Sequence, residues 1–186
     1  MTPATARSYP WTTQVGASSI TFRLMTVADK ELFREFVMSL PEEDLFFLLL
    51  DVRQPQSLDR WMRGIETGRT ISLLAVENGN MVGYGNLHMS ELSWTRHVGE
   101  IRLQVSRSQR GKGLGKTLAS EVFALARGRG LQKIMARMAS SQEGAQQVFQ
   151  NLGFQAEALL ADYVIDAQGR TQDLVMMSYD VTGFVN

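Results

Sequence analysis

Residues 109–117 read Gln109-Arg110-Gly111-Lys112-Gly113-Leu114-Gly115-Lys116-Thr117, between a strand-like run and a helix-like run. Alternating glycines let successive backbone N–H groups approach an anion without obstruction by Cβ. The start of the following helix adds about half a positive charge and a set of unpaired donors. Arg110, Lys112 and Lys116 add full charges. The chemistry that fits is capture of a phosphate-bearing ligand. Three loop types compete for the segment. A Walker A loop needs Gly-x-x-x-x-Gly-Lys-Ser/Thr. Gly115-Lys116-Thr117 matches its end, but Arg110 stands where the first glycine belongs, and the next strand, Ile134 to Ala139, brings no aspartate for magnesium. A dinucleotide loop needs Gly-x-Gly-x-x-Gly, and Lys116 replaces its third glycine. The third type, Gln/Arg-x-x-Gly-x-Gly/Ala, fits Arg110 to Gly115.

Other reactive side chains are few. The chain has no cysteine, which removes disulfides, thiolate metal sites and a cysteine nucleophile. Its two histidines, His88 and His97, are too few for a metal site, and no metal is expected. His88, near a strand end, reads as a structural residue before it reads as a wall of a binding site.

The loop needs a scaffold, and periodicity supplies one. Ile20 to Leu24 reads as a strand, and Thr26 with Asp29 as a variant capping box. Leu32, Phe33, Phe36, Val37 and Leu40 give one apolar helical face ending at Pro41. Glu42 to Leu50 reads as a short second helix whose run Leu45 to Leu50 is apolar all round, as in a buried segment or a subunit contact. Ser57 is expected to cap a third helix carrying Leu58, Trp61, Met62 and Ile65, stopped at Gly68. Thr70 to Val76 and Met81 to Leu87 flank Asn78-Gly79, a strong hairpin signal. Gly83 and Gly85 interrupt the second of these strands and point to close backbone approach. Strand Val98 to Ser106, helix Gly113 to Gly128 and strand Lys133 to Ala139 form a right-handed crossover with parallel strands. Ser140 and Glu143 read as a capping box for a helix with Ala145, Val148, Phe149 and Leu152 on its apolar face. Strands near 158–166 and 173–181 close the chain as a hairpin.

Composition bounds the function classes. The chain has 186 residues, 44% hydrophobic and 20% charged, so one domain with a real core is expected. Nineteen basic residues balance nineteen acidic ones, which argues against a nucleic-acid or anionic-membrane partner. No apolar run reaches bilayer-spanning length. Residues 1–19 carry one basic residue, Arg7, and no long apolar stretch, so they read as a flexible arm before a single domain over 20–186 rather than as a secretory leader. A cytoplasmic location follows as the expectation.

With its motifs in place, the span Val98 to Phe154 resembles the core of the GNAT superfamily of acyl-CoA-dependent N-acetyltransferases. The matching pieces are Glu100-Ile101-Arg102-Leu103-Gln104-Val105, then Gln109 to Gly115, then Gln142-Glu143-Gly144-Ala145 through Phe149-Gln150-Asn151-Leu152-Gly153-Phe154. The last piece is similar to the family's Asn-x-x-Ala…Tyr-x-x-x-Gly-Phe. The resemblance implies a mixed α/β fold: a mostly antiparallel central sheet, one parallel strand pair at the coenzyme slot, and helices on both faces. It implies acetyl-CoA as cosubstrate. Arg110, Gly111, Lys112, Gly113, Leu114, Gly115 and Lys116 would grip the pyrophosphate, and the main chain of Leu103, Gln104 and Val105 would meet the pantetheine arm. The strand after Gln132 should splay away to open a slot for the thioester. Glu100 stands where several members carry a catalytic glutamate, so it is the expected base, with Glu91 a lesser substitute. The plain alternative is a strand-end carboxylate paired with Arg102 or Arg96. Two departures stand out: Gln142 replaces the asparagine, and Phe149 replaces the tyrosine that protonates the leaving thiolate. Water, Tyr84 or Tyr163 would then take that role.

The leading function is therefore N-acetyl transfer to a primary amine of a small molecule, amino acid or protein, by direct transfer because no cysteine is available. A non-catalytic acyl-CoA-binding module is the alternative raised by Phe149. A P-loop nucleotidase is a third, opposed by the misfit of its motif. The resemblance places the acceptor among residues 33–50, the loop around Glu91 to Arg96 and the last hairpin. Glu42, Glu43, Asp44 and Asp51 could there attract a cationic amine. A homodimer is expected through the apolar run Leu45 to Leu50.

Overall fold

The computed structural model describes residues 7–46, 48, 54–166 and 168–181. The strands are β1 (Trp11–Val15), β2 (Ser18–Leu24), β3 (Thr70–Glu77), β4 (Asn80–Met89), β5 (Val98–Val105), β6 (Lys133–Ala139), β7 (Gln155–Ile165) and β8 (Thr171–Asp180). The helices are α1 (Lys30–Met38), α2 (Glu42–Phe46), α3 (Pro55–Glu66), α4 (Leu114–Gly128) and α5 (Glu143–Asn151). All eight strands join one sheet in the order β1-β2-β3-β4-β5-β6-β8-β7. Every neighbouring pair is antiparallel except β5–β6, which the α4 crossover makes parallel. No helix among the described residues is long and apolar enough to cross a membrane.

The sheet buries both faces. On one side α4 and α5 cover Leu73, Leu87, Ile101, Ile134 and Met177, with Leu114, Leu118, Val122 and Phe149 facing them. On the other, Phe33, Phe36, Leu58 and Trp61 of α1 and α3 cover Leu74 and Tyr84. This explains β3 and β4, whose apolar runs lack strict alternation: a strand covered on both faces has no polar side. Asn78 and Gly79 take the positive φ values, 49° and 84°, that a two-residue hairpin turn requires.

Three sequence expectations need revision. Residues 11–15 are not an arm but an edge strand, paired with β2 from Trp11–Phe22 to Val15–Ser18. Trp11 stacks on Phe22 at 4.9 Å, so one large apolar residue outweighs the polar composition around it. Helix α3 begins at Pro55 after Gln54, because proline fixes a helical φ and needs no N–H partner at the first position; Ser57 lies inside it. Helix α5 is preceded by Gln142 rather than Ser140. Gln142 Oε1 accepts from the Ala139 N–H at 3.0 Å, and Gln146 Nε2 donates to the Ser140 carbonyl at 2.9 Å. In the run Leu45 to Leu50, Leu45 and Leu48 pack on the α1–α3 cluster, while Phe47, Leu49 and Leu50 lie outside the described residues.

Gly83 and Gly85 set the distance of α4 from the sheet. A Cβ on Gly83 would lie 2.9 Å from the Gln104 carbonyl, and one on Gly85 would lie 2.6 Å from Val122 Cγ2. Replacement of Gly85 by alanine should therefore push α4 outward and destabilise the fold by about 1–3 kcal/mol, the usual range for overpacking. Thermal unfolding would register this as a fall of several degrees. An unchanged midpoint would mean that the helix shifts without cost.

Candidate active site

The parallel ladder that carries the site is short. It joins Val98 to Lys133, Gly99 to Ile134 and Glu100 to Met135. Past it, β5 follows β4 up to Val105 and β6 follows β8 up to Ala139, so the two strands part. The next pair on the Glu100 face would set Arg102 directly against Arg137, and like charges so placed destabilise a ladder. Both guanidiniums turn onto Glu100 instead. Arg102 Nη2 lies 2.6 Å from Oε1, and Arg137 Nη2 donates to Oε2 at 2.5 Å.

The parting opens a cleft of about 580 Å³ that crosses the sheet. On the α4–α5 side it is lined by Leu103, Val105, Gly111, Gly113, Gly115, Lys116 and the start of α5 from Gln142 to Phe149. On the α1–α3 side it meets Asp44, Leu48, Trp61, Tyr84, Arg102, Gln104 and Arg137. The β4–β5 register fixes these sides: Tyr84, Asn86 and His88 stand opposite Gln104, Arg102 and Glu100. Trp61 then packs against Tyr84 and His88 with ring centroids 5.8 Å away from each.

At the other end lies the phosphate loop. Gly111 and Gly113 have φ of 72° and 95°, and Gly113 is the residue before α4. A Cβ on either would meet nothing within 4 Å, so backbone conformation, not space, demands glycine there. Gln109 is buried, and its Nε2 donates to Glu77 at 2.7 Å and Ser18 at 3.1 Å, tying the loop to β3 and β2. Arg110 donates through Nε to the Val105 carbonyl at 3.3 Å and pairs through Nη2 with Asp44. Asp44, one of the acidic residues that could attract a cationic amine or form a solvated face, is engaged with the loop. Of the predicted coenzyme residues, Leu103, Gln104, Val105, Arg110, Gly111, Gly113, Gly115 and Lys116 line the cleft. The Leu114 side chain is wholly buried in the core, leaving only its backbone for the loop. Lys112 sits beside the turn at Gly16 and outside the cleft wall.

Glu100 lies behind this wall, with Arg102 and Arg137 between it and the cleft. Burial pushes its carboxyl up, but the charges and hydrogen bonds of Arg102 and Arg137 outweigh that and hold it below the usual carboxylate range. His88 is buried beside it, and burial lowers its pKa to about 4 against a smaller opposing pull from Glu100. Its Nδ1 pairs with Thr70 Oγ1 at 3.0 Å, which makes it the neutral structural histidine of the plainer reading. Glu91 is exposed and pairs with Arg69 at 3.0 Å. Phe149 packs edge-on against Phe154 at 5.0 Å with its side chain in the core. Of the two tyrosines considered as acid, Tyr84 lines the cleft, its hydroxyl held protonated by burial. Tyr163 is exposed on β7. Arg137 is the residue that sequence reasoning missed. Its link to Glu100 spans 37 positions and depends on the β5–β6 register.

The family model of the GNAT acetyltransferases matches residues 33–154. The chain belongs to the GNAT acetyltransferase family. Its general chemistry is thus acyl transfer, on the fold expected from the Val98 to Phe154 motifs. Among solved structures, a GNAT-family acetyltransferase from Streptococcus pneumoniae is 19% identical with a TM-score of 0.75, covering 87% of this chain and 99% of that one. A putative acetyltransferase from Salmonella typhimurium, solved with its cofactor acetyl-CoA, is 23% identical with a TM-score of 0.72, over 90% and 96%. A phosphinothricin acetyltransferase from Sinorhizobium meliloti, in complex with acetyl-CoA, is 20% identical with a TM-score of 0.72, over 87% and 88%. No curated protein sequence matches this GNAT chain.

Two measurements test the site. Gly113→Asp places a carboxylate among the loop amides and a side chain at φ 95°. It should abolish coenzyme A binding in calorimetry while the fold persists, at a strain cost of about 1–3 kcal/mol; retained affinity would remove the loop from the site. The second concerns His88. Between its folded pKa of about 4 and its ordinary value near 6.5, the unfolded chain binds the extra proton. Stability should therefore be full above pH 6.5 and fall by about 3 kcal/mol as the pH drops to 4. Urea unfolding of His88→Gln should show a shallower slope across that window, and an equal slope would mean that His88 is not kept neutral.

Proposed function

We propose that this protein is a cytoplasmic N-acetyltransferase that moves an acetyl group from acetyl-CoA to a primary amine by direct transfer. The observation that carries this reading is the parting of β5 from β6 immediately beside the phosphate loop. Acetyl-CoA would supply the activated thioester. The amides of Gly111 to Lys116 and the N-terminus of α4 would hold the pyrophosphate, with Lys116 and Arg110 adding charge. To do so Arg110 would give up Asp44. The main chain of Leu103 to Val105, unpaired on the β6 side, would align the pantetheine arm. An N–H of that open strand edge is the donor for the carbonyl oxygen as negative charge grows on it. The α1–α3 side of the cleft is left for the acceptor, against Trp61 and Tyr84.

The amine must be neutral to attack. At pH 7 this costs a lysine-like amine roughly 4–5 kcal/mol and an α-amine about 1. Its nitrogen then bonds to the carbonyl carbon, the C–S bond breaks, and the proton that the nitrogen sheds passes through water to the leaving thiolate. Tyr84 is the cleft hydroxyl available to donate a hydrogen bond to that sulfur. Glu100 was expected to take the amine proton. Its engagement with two guanidiniums lowers its proton affinity and favours a different role, that of holding Arg102 and Arg137 at the cleft wall.

Incubation of the protein with acetyl-CoA and an amine panel, read by mass spectrometry, tests the transfer. Tight coenzyme binding without any acetylated product would support the non-catalytic module instead. Glu100→Gln separates its two roles. A positioning residue should lose about the same factor, 10- to 100-fold, at pH 7 and pH 9. A base should lose about 10²–10³-fold at pH 7 and progressively less as the solution amine becomes neutral.

A further inference from the structure

The acceptor end of the cleft carries more positive charge and more unanswered polar groups than an amine alone would call for. Arg102 and Arg137 flank the gap where β5 and β6 separate, both line the cleft, and their side chains are 21% and 35% exposed. Among the described residues they share one carboxylate, that of Glu100. Arg102 Nε is buried with no hydrogen-bond partner. Directly opposite Arg102 on the ladder is Asn86, which is wholly buried and has neither its amide nitrogen nor its amide oxygen partnered. Burying such groups without partners is costly. Trp61, Tyr84 and Leu48 give this end apolar walls, beside Asp44 and Gln104. Among the described residues, a simple cationic amine entering here would meet two guanidiniums, while the nearby carboxylates are already engaged, Glu100 by those guanidiniums and Asp44 by Arg110.

Resting on the acetyl-transfer reading above, we infer that the acceptor is an amino acid: a small molecule whose carboxylate, one carbon from its amine, is held by Arg102 and Arg137. A carboxylate at the cleft wall completes the charge balance, since two guanidiniums then face two carboxylates. Guanidinium forks match carboxylate geometry in a way that a single ammonium does not. The carboxylate fixes the amine at the gap, where the thioester would lie, and the apolar walls receive an uncharged side chain. Glu100 stops the two arginines from separating and aims them at a common point.

Matched acceptors test this on the unmodified protein: L-leucine, L-leucinamide and isoamylamine, then the other L-amino acids beside their amides, each with acetyl-CoA. The acid should exceed its amide and its decarboxylated analogue by about 10- to 100-fold in kcat/KM, the range of a charge-assisted pair. Arg137→Gln should collapse the acid-to-amide ratio toward one through the KM for the acid, with the KM for acetyl-CoA unmoved. Arg137→Lys, which keeps charge but loses the fork, should recover part of the ratio. Transfer that does not distinguish acid from amide, or that favours diamines, overturns the inference and leaves acetyl transfer standing. Acetyl-CoA binding with no transfer to any member overturns both.

Discussion

The opening in this sheet lies beside three ion-paired residues, Glu100, Arg102 and Arg137. Where Glu100 faces Met135 the strands pair, and one position further on that face they would bring two arginines together. A parallel ladder does not tolerate that contact, and the carboxylate beneath offers each guanidinium a better partner. The opening in an otherwise continuous eight-stranded sheet sits where this conflict falls. A sheet sealed along β5 and β6 would have two covered faces and no passage between them. Parted, it has a cleft that reaches from the phosphate loop to the α1–α3 face.

The packing around the gap keeps it in place. Gly83 and Gly85 let α4 lie directly on β4, which brings the N-terminus of α4 and its glycine loop to the end of β5. Gln109 pins that loop from behind through Glu77 and Ser18, residues from strands far away in the chain. Asp44 reaches the same loop from α2 through Arg110. The loop is therefore held by three separate elements while its glycines line the cleft. On the far face, Phe33, Trp61 and Tyr84 form an aromatic cluster with ring centroids 4.9 to 5.8 Å apart.

The electrostatics divide the cleft into two ends with different demands. The loop end offers backbone donors and cations suited to phosphate. The far end presents the guanidiniums of Arg102 and Arg137, with a buried amide, Asn86, and a histidine kept neutral by burial, His88, on the same face of the sheet. Glu100 connects chemistry and architecture: the charge that holds the arginines is the same charge whose proton affinity they reduce. A carboxylate cannot both anchor two guanidiniums tightly and keep the proton affinity of a strong base.

Much of this was legible from residues alone. Period-2 and period-3.6 patterns located most of the strands and helices, because burial on one face dictates spacing wherever an element is formed. The loop at 109–115 was readable because its conformation restricts residue type: positive φ calls for glycine at 111 and 113 whatever surrounds them. Ser57 and Ser140 misled because several local caps compete and their margins are small, and the β1 edge was hidden because one stacked tryptophan outweighs a polar composition. The partner of Glu100 could not be read at all. Alternation puts Arg102 on its face, but Arg137 arrives only through the register of β5 on β6. Spacing along the chain decides what a segment can become. Which side chains share a carboxylate across 37 residues is decided by long-range packing, and so only by the tertiary structure.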